Sequence, residues 1–411
     1  MKNKQALYTI IGNFVYLIAQ WALTVVVVRF ADDFYAAGIL SLAMTIANIF
    51  YVIACYGIRA FQVSDINHEF ADQCYLLSRI ISIVAALIGC VAYVWVKGYD
   101  FYASYCVLIY MIYKCFEAES DVIYGVFQMQ DDFEHICISM SVKGILSFAV
   151  FTAALATGQS LPVALWSMNV VAIGTLIAID LRWCRKYTHP LLIVSRKMLG
   201  RVKTLMWITF PAMLVLICQP LLMSIPRLFF ERNFSTEQLG IYSSISAPTV
   251  AISTFVSCVM TPYIPLFAEY FTAGDKQKIK RLTFGLLGFG VGVGLAALIG
   301  GYFLGEWALT LLYGEKIGGY LDIFLLVILV TTCSALMLIL DSLYIAIRKQ
   351  IPLAVILLLG CLICWIVTPF FVTTFAMRGV TYALLAAQLI QIGASLILAM
   401  RYFSKMTEQT I

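Results

Sequence analysis

Charge is what this sequence has least of. Only 12% of its 411 residues are Asp, Glu, Lys or Arg, where soluble domains carry roughly 25%. A chain so poor in charge cannot cover a water-facing surface, and with 62% apolar residues most of its surface is expected to face lipid. Histidine is scarcer still: His68, His135 and His189 are the only three, and all fall between the apolar runs, so no span is expected to carry an imidazole base. There is no G-x-x-x-x-G-K-[ST] loop, which excludes phosphate-loop ATP hydrolysis in this chain, and no H-E-x-x-H metal motif. No basic stripe interleaves with aromatics on a soluble face, so nucleic acid is not an expected partner. Asp131 and Asp132 adjoin, but no soluble α/β domain surrounds them to make a sugar-nucleotide metal site. These absences leave no expected catalytic residue, no cofactor and no metal. The 12 cysteines are scattered through apolar runs. The C-x-x-C of Cys361 and Cys364 lies in LLLGCLICWIV with no second ligand pair, and buried cysteine behaves as a small hydrophobe.

What is present is a series of long apolar runs. A span needs about 20 mostly apolar residues, and such runs occupy 7–28, 36–57, 76–96, 101–120, 142–160, 161–182, 205–226, 240–262, 283–304, 321–342, 352–374 and 380–400. The first, behind Lys2 and Lys4, is too long for a signal-peptide core and no small-residue cleavage site follows it, so it reads as an uncleaved span. The chain is therefore expected to be an all-α polytopic membrane protein of about 12 spans. Cations set its orientation. Of the 27 Lys and Arg, 20 fall on the side that includes both termini, six fall on the other, and Lys114 lies within a span. Both termini are expected to be cytoplasmic.

The richest basic connection, RWCRKYTHPLLIVSRKMLGRVK at 183–204, divides the chain into an N-terminal six-helix lobe (1–182) and a C-terminal one (205–411). Arg29 is followed by GILS at 38–41 and Arg232 by GIYS at 240–243. Their equivalent topological positions suggest two repeats related by a pseudo-two-fold axis along the membrane normal, an arrangement common in transporters. Gly288/Gly292 and Gly290/Gly294 stand at the spacing of close helix approach. Pro211, Pro220, Pro226 and Pro248 are candidate bends, static or moving. The mixed segments 58–75, 121–141, 191–204 and 263–281 read as amphipathic surface helices that anchor or gate.

Ionisable groups inside a span cost ~2.5–3.5 kcal/mol at the helix centre on the insertion scale, and are functional candidates by default. Lys114, Glu117 and Asp121 share one face of the fourth span at i, i+3 and i+7. Two readings stand: a self-neutralised pair inside the bundle, or the lining of a polar cavity, with Glu117 and Asp121 as sites of ion coupling. Arg29, Arg59, Arg79 and Arg227 stand at span ends, where each could simply snorkel. Taken together, Arg29, Arg59, Arg227 and Lys114 would line a cationic cavity suited to an anionic substrate such as a lipid pyrophosphate, which arginine's fixed fork of donors fits. Asn13, Gln20 and Asn48 add uncharged polar groups.

The stretch FPAMLVLICQPLLMSIPRLFFERNFSTEQLGIYSSISAPTVAISTFVSCVMTPYIPLFAEYFTAGDKQKIKRL at 210–282, with Pro226-Arg227, Leu239 to Tyr242 and Pro265, together with LTLLYGEKIGGY at 309–320 and VVVVRFADDFYAAGILSLA in the first half, resembles the bacterial polysaccharide repeat-unit flippases (Wzx-like) of the multidrug/oligosaccharidyl-lipid/polysaccharide exporter superfamily. Here Ala36-Ala37-Gly38 stands where that family more often has Tyr-Gly. The resemblance implies a two-lobed bundle of 12 or 14 spans in a bacterial plasma (inner) membrane. It implies alternating access that carries undecaprenyl-pyrophosphate-linked oligosaccharide from the inner to the outer leaflet, with Arg29, Arg59 and Arg227 as the matching cations. The partners it admits are that lipid-linked substrate, the bilayer, a coupling cation, and the polysaccharide polymerase and glycosyltransferases. Two alternatives stay open. An ion-coupled drug/cation antiporter would share the fold and use carboxylates deep in the bundle, whereas Glu117, Glu119, Asp121, Asp180 and Asp341 are expected nearer cytoplasmic ends. A polysaccharide polymerase would carry a long outside loop, and the outside connections here are short.

Overall fold

The computed structural model describes residues 2–30, 34–65, 69–188, 195–260, 263–347 and 349–405. His68, His189 and Arg348 lie outside the described residues. Every regular element among the described residues is helical: α1 (Lys2–Phe30), α2 (Tyr35–Cys55), α3 (Ile58–Ser64), α4 (Asp72–Lys97), α5 (Phe101–Met129), α6 (Phe133–Ala156), α7 (Leu161–Thr175), α8 (Arg182–Cys184), α9 (Arg196–Asn233), α10 (Thr236–Ser246), α11 (Val250–Met260), α12 (Ile264–Thr272), α13 (Lys276–Tyr313), α14 (Leu321–Ala346) and α15 (Gln350–Lys405). A π-helical turn, Leu176–Leu181, joins α7 to α8.

Ten helical stretches among the described residues are long and apolar enough to cross a membrane. One of them holds two spans, because α15 breaks at Ala376, where φ is 48° and ψ −124°. A twelfth, α5, has the length but carries Lys114, Glu117, Glu119 and Asp121. The chain is thus an all-α polytopic membrane protein of about 12 spans, each closing its backbone hydrogen bonds within itself as a bilayer requires.

Two of the sequence expectations change. The segment 121–141 is not a surface helix: α5 runs on to Met129, and α6 begins at Phe133 under an Asp132 cap. Lys143, counted with the cytoplasmic-side cations, therefore sits near the middle of α6 and is buried. Pro248 does more than bend its span, since the 3₁₀ turn Ala247–Thr249 separates α10 from α11.

The chain divides into two compact units, Met1–Pro220 and Leu221–Ile411. In unit 1, α5 is the hub, packed against α2, α3, α4 and α7, while α6 pairs with α1 and α7. Asp100 starts α5 by accepting hydrogen bonds from the backbone N–H of Tyr102 and Ala103, satisfying orphan donors of the first turn. Between α2 and α3, Tyr56 and Gly57 both adopt positive φ (51° and 68°), so the chain turns sharply and α3 lies across α4 and α5. In unit 2, α14 is the hub, packed against α10, α11, α12, α13 and α15. Gly290, Gly294, Gly301 and Gly305 of α13 face Leu336, Thr332, Ile328 and Phe324 of α14 with no room for a Cβ, whereas Gly288 and Gly292 have no neighbour within 4 Å. Of the two glycine pairs read from the sequence, one makes the close helix approach.

Candidate functional site

Unit 1 carries a buried polar system along α5, and the apolar lengths of α2, α4, α6 and α7 enclose it. At its centre Lys114 donates to Glu117 Oε2 at 2.6 Å. The ammonium lies 5.2 to 5.7 Å from the ring centres of Tyr51, Tyr110 and Tyr113. Both charged residues are buried, and the aromatic faces add attraction for the cation where water is excluded. Tyr110 and Tyr113 in turn bond Gln20 of α1, at 3.3 and 3.1 Å. Glu117 Oε1 is buried without a partner among the described residues.

One turn further along α5, Asp121 bridges two arginines. Its Oδ2 accepts from Arg79 of α4 at 2.7 Å, and its Oδ1 from Arg59 of α3 at 3.1 Å. Arg79 is 0% exposed and also donates to the carbonyl of Ala54 at 2.7 Å. Arg59 keeps 30% of its side chain exposed, reaches Gln128 Oε1 at 3.1 Å, and stands 5.7 Å from the Tyr124 ring. Lys143 of α6 also lies 5.7 Å from the centre of the Tyr124 ring. Lys143 donates to Ser120 Oγ at 2.5 Å and lies 3.7 Å from Asp180. Asp180 is completely buried in the π-helical turn and accepts from Ser120 at 2.6 Å and from Ser139. Leaving a buried charge alone costs several kcal/mol, so each of these groups needs the partner it has.

Spacing placed Lys114, Glu117 and Asp121 on one face of the fourth span; in the structure Lys114 pairs with Glu117, while Asp121 takes Arg59 of α3 and Arg79 of α4. Arg29 stands exposed in the last turn of α1. Arg227 belongs to unit 2, where it is half-buried, bonds Ser246 Oγ at 3.4 Å and stands 5.6 Å from the Tyr242 ring. Sequence reasoning missed the Lys143–Asp180 pair. The signal was the apolar FEHICISM stretch behind Asp132, which starts the span nine residues before 142.

Where the polar system ends, His135 Nδ1 and Tyr187 OH both hold Asp132, at 2.5 and 2.7 Å, and the His135 ring meets Trp183 edge to face at 4.0 Å. Partial burial raises the Asp132 carboxyl's affinity for protons. The hydrogen bonds from His135 and Tyr187 outweigh that and hold it below the usual carboxylate range. The bond to Asp132 pushes Tyr187 up to about 12, so it stays a donor. Among the described residues no cluster of His, Cys, Asp and Glu is arranged to hold a metal. Cys361 and Cys364 are buried in α15, the latter 3.9 Å from the Leu222 carbonyl.

Residues 3–271 match the polysaccharide biosynthesis protein family. The capsular polysaccharide biosynthesis protein CapF of Staphylococcus aureus is 25% identical over 312 residues, covering 76% of this chain and 77% of that protein. Solved structures share the fold at low identity. An inward-facing multidrug resistance MATE family transporter of the MOP superfamily aligns with a TM-score of 0.71 and 13% identity, over 99% of this chain and 96% of the other. A MOP superfamily transporter from Pyrococcus furiosus aligns with a TM-score of 0.66 and 13% identity, over 98% and 95%. With about 12 spans and a match over most of its length, this chain belongs to the polysaccharide biosynthesis protein family and has the fold of the MATE transporters.

Proposed function

We propose that the protein is a flippase, not an enzyme, which moves undecaprenyl-pyrophosphate-linked oligosaccharide repeat units from the inner to the outer leaflet by alternating access, for surface polysaccharide biosynthesis. The observation that carries this reading is Arg59: a guanidinium within a buried polar system, yet with 30% of its side chain open and a fork geometry suited to phosphate. Arg29, Arg227 and Lys114 are assigned supporting parts, the first two at span ends and Lys114 as a fixed charge further in. The two lobes are assigned to 1–182 and 205–411, joined by the basic linker 183–204. Both termini are assigned to the cytoplasm of a bacterial plasma membrane. Taking the buried Arg79 and Lys143 out of the connections leaves the cation bias at 18 to six, still ample to orient the chain.

The antiporter alternative needs deep carboxylates free to exchange a cation. Glu117 is held by Lys114 at 2.6 Å and Asp180 faces Lys143 at 3.7 Å, so each already has a resident cation, which favours the anionic substrate. The test is a strain in which each variant is the sole copy. Arg59→Ala is expected to abolish or sharply reduce surface polysaccharide and to accumulate the lipid-linked precursor, with protein level unchanged. Normal export by Arg59→Ala would remove the reading's main support, and loss of export in Glu117→Gln alone would favour the antiporter.

A further inference from the structure

We propose that Asp121 is an internal anion that occupies Arg59 until a phosphate of the substrate takes its place, so that the carboxylate and the phosphate compete for one guanidinium. This deepens the proposed function and rests on its pyrophosphate-bearing substrate. Asp121 is the one carboxylate among the described residues that is shared by two arginines, and its two bonds are unequal. Arg79, fully buried and tied also to the Ala54 carbonyl, holds Oδ2 at 2.7 Å. Arg59 holds Oδ1 at 3.1 Å, longer than the 2.7–2.9 Å usual for charge-assisted pairs. Arg59's other partners among the described residues are the neutral Gln128 amide oxygen and the Tyr124 ring. A phosphate offers the same fork two oxygens and more charge than half a carboxylate.

One polar side chain of the helix that seats Arg59 is free to move without polar cost. α3 follows the two left-handed residues Tyr56 and Gly57, and its Gln62 packs on Gly125 of α5 with neither amide atom hydrogen-bonded. Lifting α3 therefore breaks no hydrogen bond of Gln62. When Arg59 leaves, Asp121 keeps Arg79 and is not stranded as a lone buried charge, the situation that would otherwise oppose exchange. Glu119, the neighbouring acid on α5, forms no ion pair within 4 Å among the described residues. The competition thus falls on Asp121.

Geranylgeranyl pyrophosphate, with geranylgeraniol as the tail-only control, is titrated onto the full chain in phosphatidylcholine nanodiscs. The hydrogen bond lost or gained is one to a charged group, so changes of about tenfold are expected. Asp121→Asn should bind the pyrophosphate about tenfold more tightly. Gln128→Glu, which gives Arg59 a second carboxylate and leaves the buried Arg79–Asp121 bond untouched, should bind it about tenfold more weakly. Neither should alter geranylgeraniol binding. In an Arg59→Ala background, both effects should vanish. Should Asp121→Asn fail to fold, Gln128→Glu alone decides. If Arg59→Ala weakens binding but Asp121→Asn and Gln128→Glu match the native affinity, the competition is refuted and the pyrophosphate reading survives. If Arg59→Ala binds as the native chain does, the reading itself falls.

Discussion

The hub helices of the two units, α5 and α14, are surrounded in the same way and made of different material. Each packs against most of the helices of its own unit. Yet α5 carries Lys114, Glu117, Glu119 and Asp121, whereas α14 has only Asp341 beyond the Asp322 of its first turn. The surroundings differ to match. Unit 1 buries Arg79–Asp121, Lys114–Glu117 and Lys143–Asp180 around α5, while in unit 2 the pairs Lys278–Asp275 and Arg378–Asp322 among the described residues lie towards solvent. Unit 2 holds together through glycine contacts of α13 on α14 and through neutral bonds such as Thr249–Thr331 at 2.8 Å and Gln388 to Ser334 at 2.7 Å. Neutral groups and close packing suffice to assemble helices in a bilayer. The buried charges of unit 1 are therefore an expense that assembly does not require, and such groups mark function.

The comparison can be broken most directly at Arg59. Removing a hydrogen bond to a charged group costs about 1.5–3 kcal/mol, roughly 10- to 100-fold in affinity, so Arg59→Ala should cut export by that order, and Arg59→Lys should restore only part of it because the fork is lost. A full rescue by lysine, read from surface polysaccharide, would make Arg59 a mere interfacial charge. Next in size is the Lys143–Asp180 pair. Lys143→Met strands a completely buried carboxylate and should destabilise the chain by about 3–5 kcal/mol. Adding Asp180→Leu should recover most of that loss, and unfolding in detergent measures both. In unit 2 the matching experiment is one of volume. Gly294→Val must displace Thr332 and should cost about 1–3 kcal/mol, whereas Arg378→Ala, at an exposed pair, should stay within about 1 kcal/mol. An Arg378→Ala effect as large as that of Lys143→Met would erase the contrast between the units. The smallest effect belongs to the Asp132 clasp. Because its folded carboxyl is depressed, its contribution is present above the usual carboxylate range and lost as pH falls through the depressed value. Tyr187→Phe should lessen that acid-side loss in a pH series of unfolding midpoints.

Hydropathy made most of the spans legible, because a span is long and apolar whatever its partners; the charged α5 was legible chiefly by its length. The face shared by Lys114, Glu117 and Asp121 was legible from helical spacing. What spacing could not supply was the partner of Asp121, since Arg59 and Arg79 arrive from α3 and α4 only once the left-handed pair Tyr56–Gly57 has turned the chain. Lys143 was hidden for a different reason. Lysine in an apolar stretch reads as the end of a span, and only the Asp132 cap, upstream of it, shows that α6 had already begun. Asp180 likewise reads as a span end, yet it is buried because the π-helical turn carries it to Ser120 and Ser139.

The central claim, that unit 1 presents a cationic site to a pyrophosphate-linked lipid in transit, is tested most directly by translocation in proteoliposomes. The purified chain is reconstituted with a fluorescent undecaprenyl-pyrophosphate oligosaccharide, and the fraction reaching the opposite leaflet is followed by its accessibility to an added membrane-impermeant quencher. The account predicts movement with the native chain and with Arg378→Ala, and little or none with Arg59→Ala. Equal movement with native and Arg59→Ala chains, or none above empty liposomes with the native chain, would contradict it.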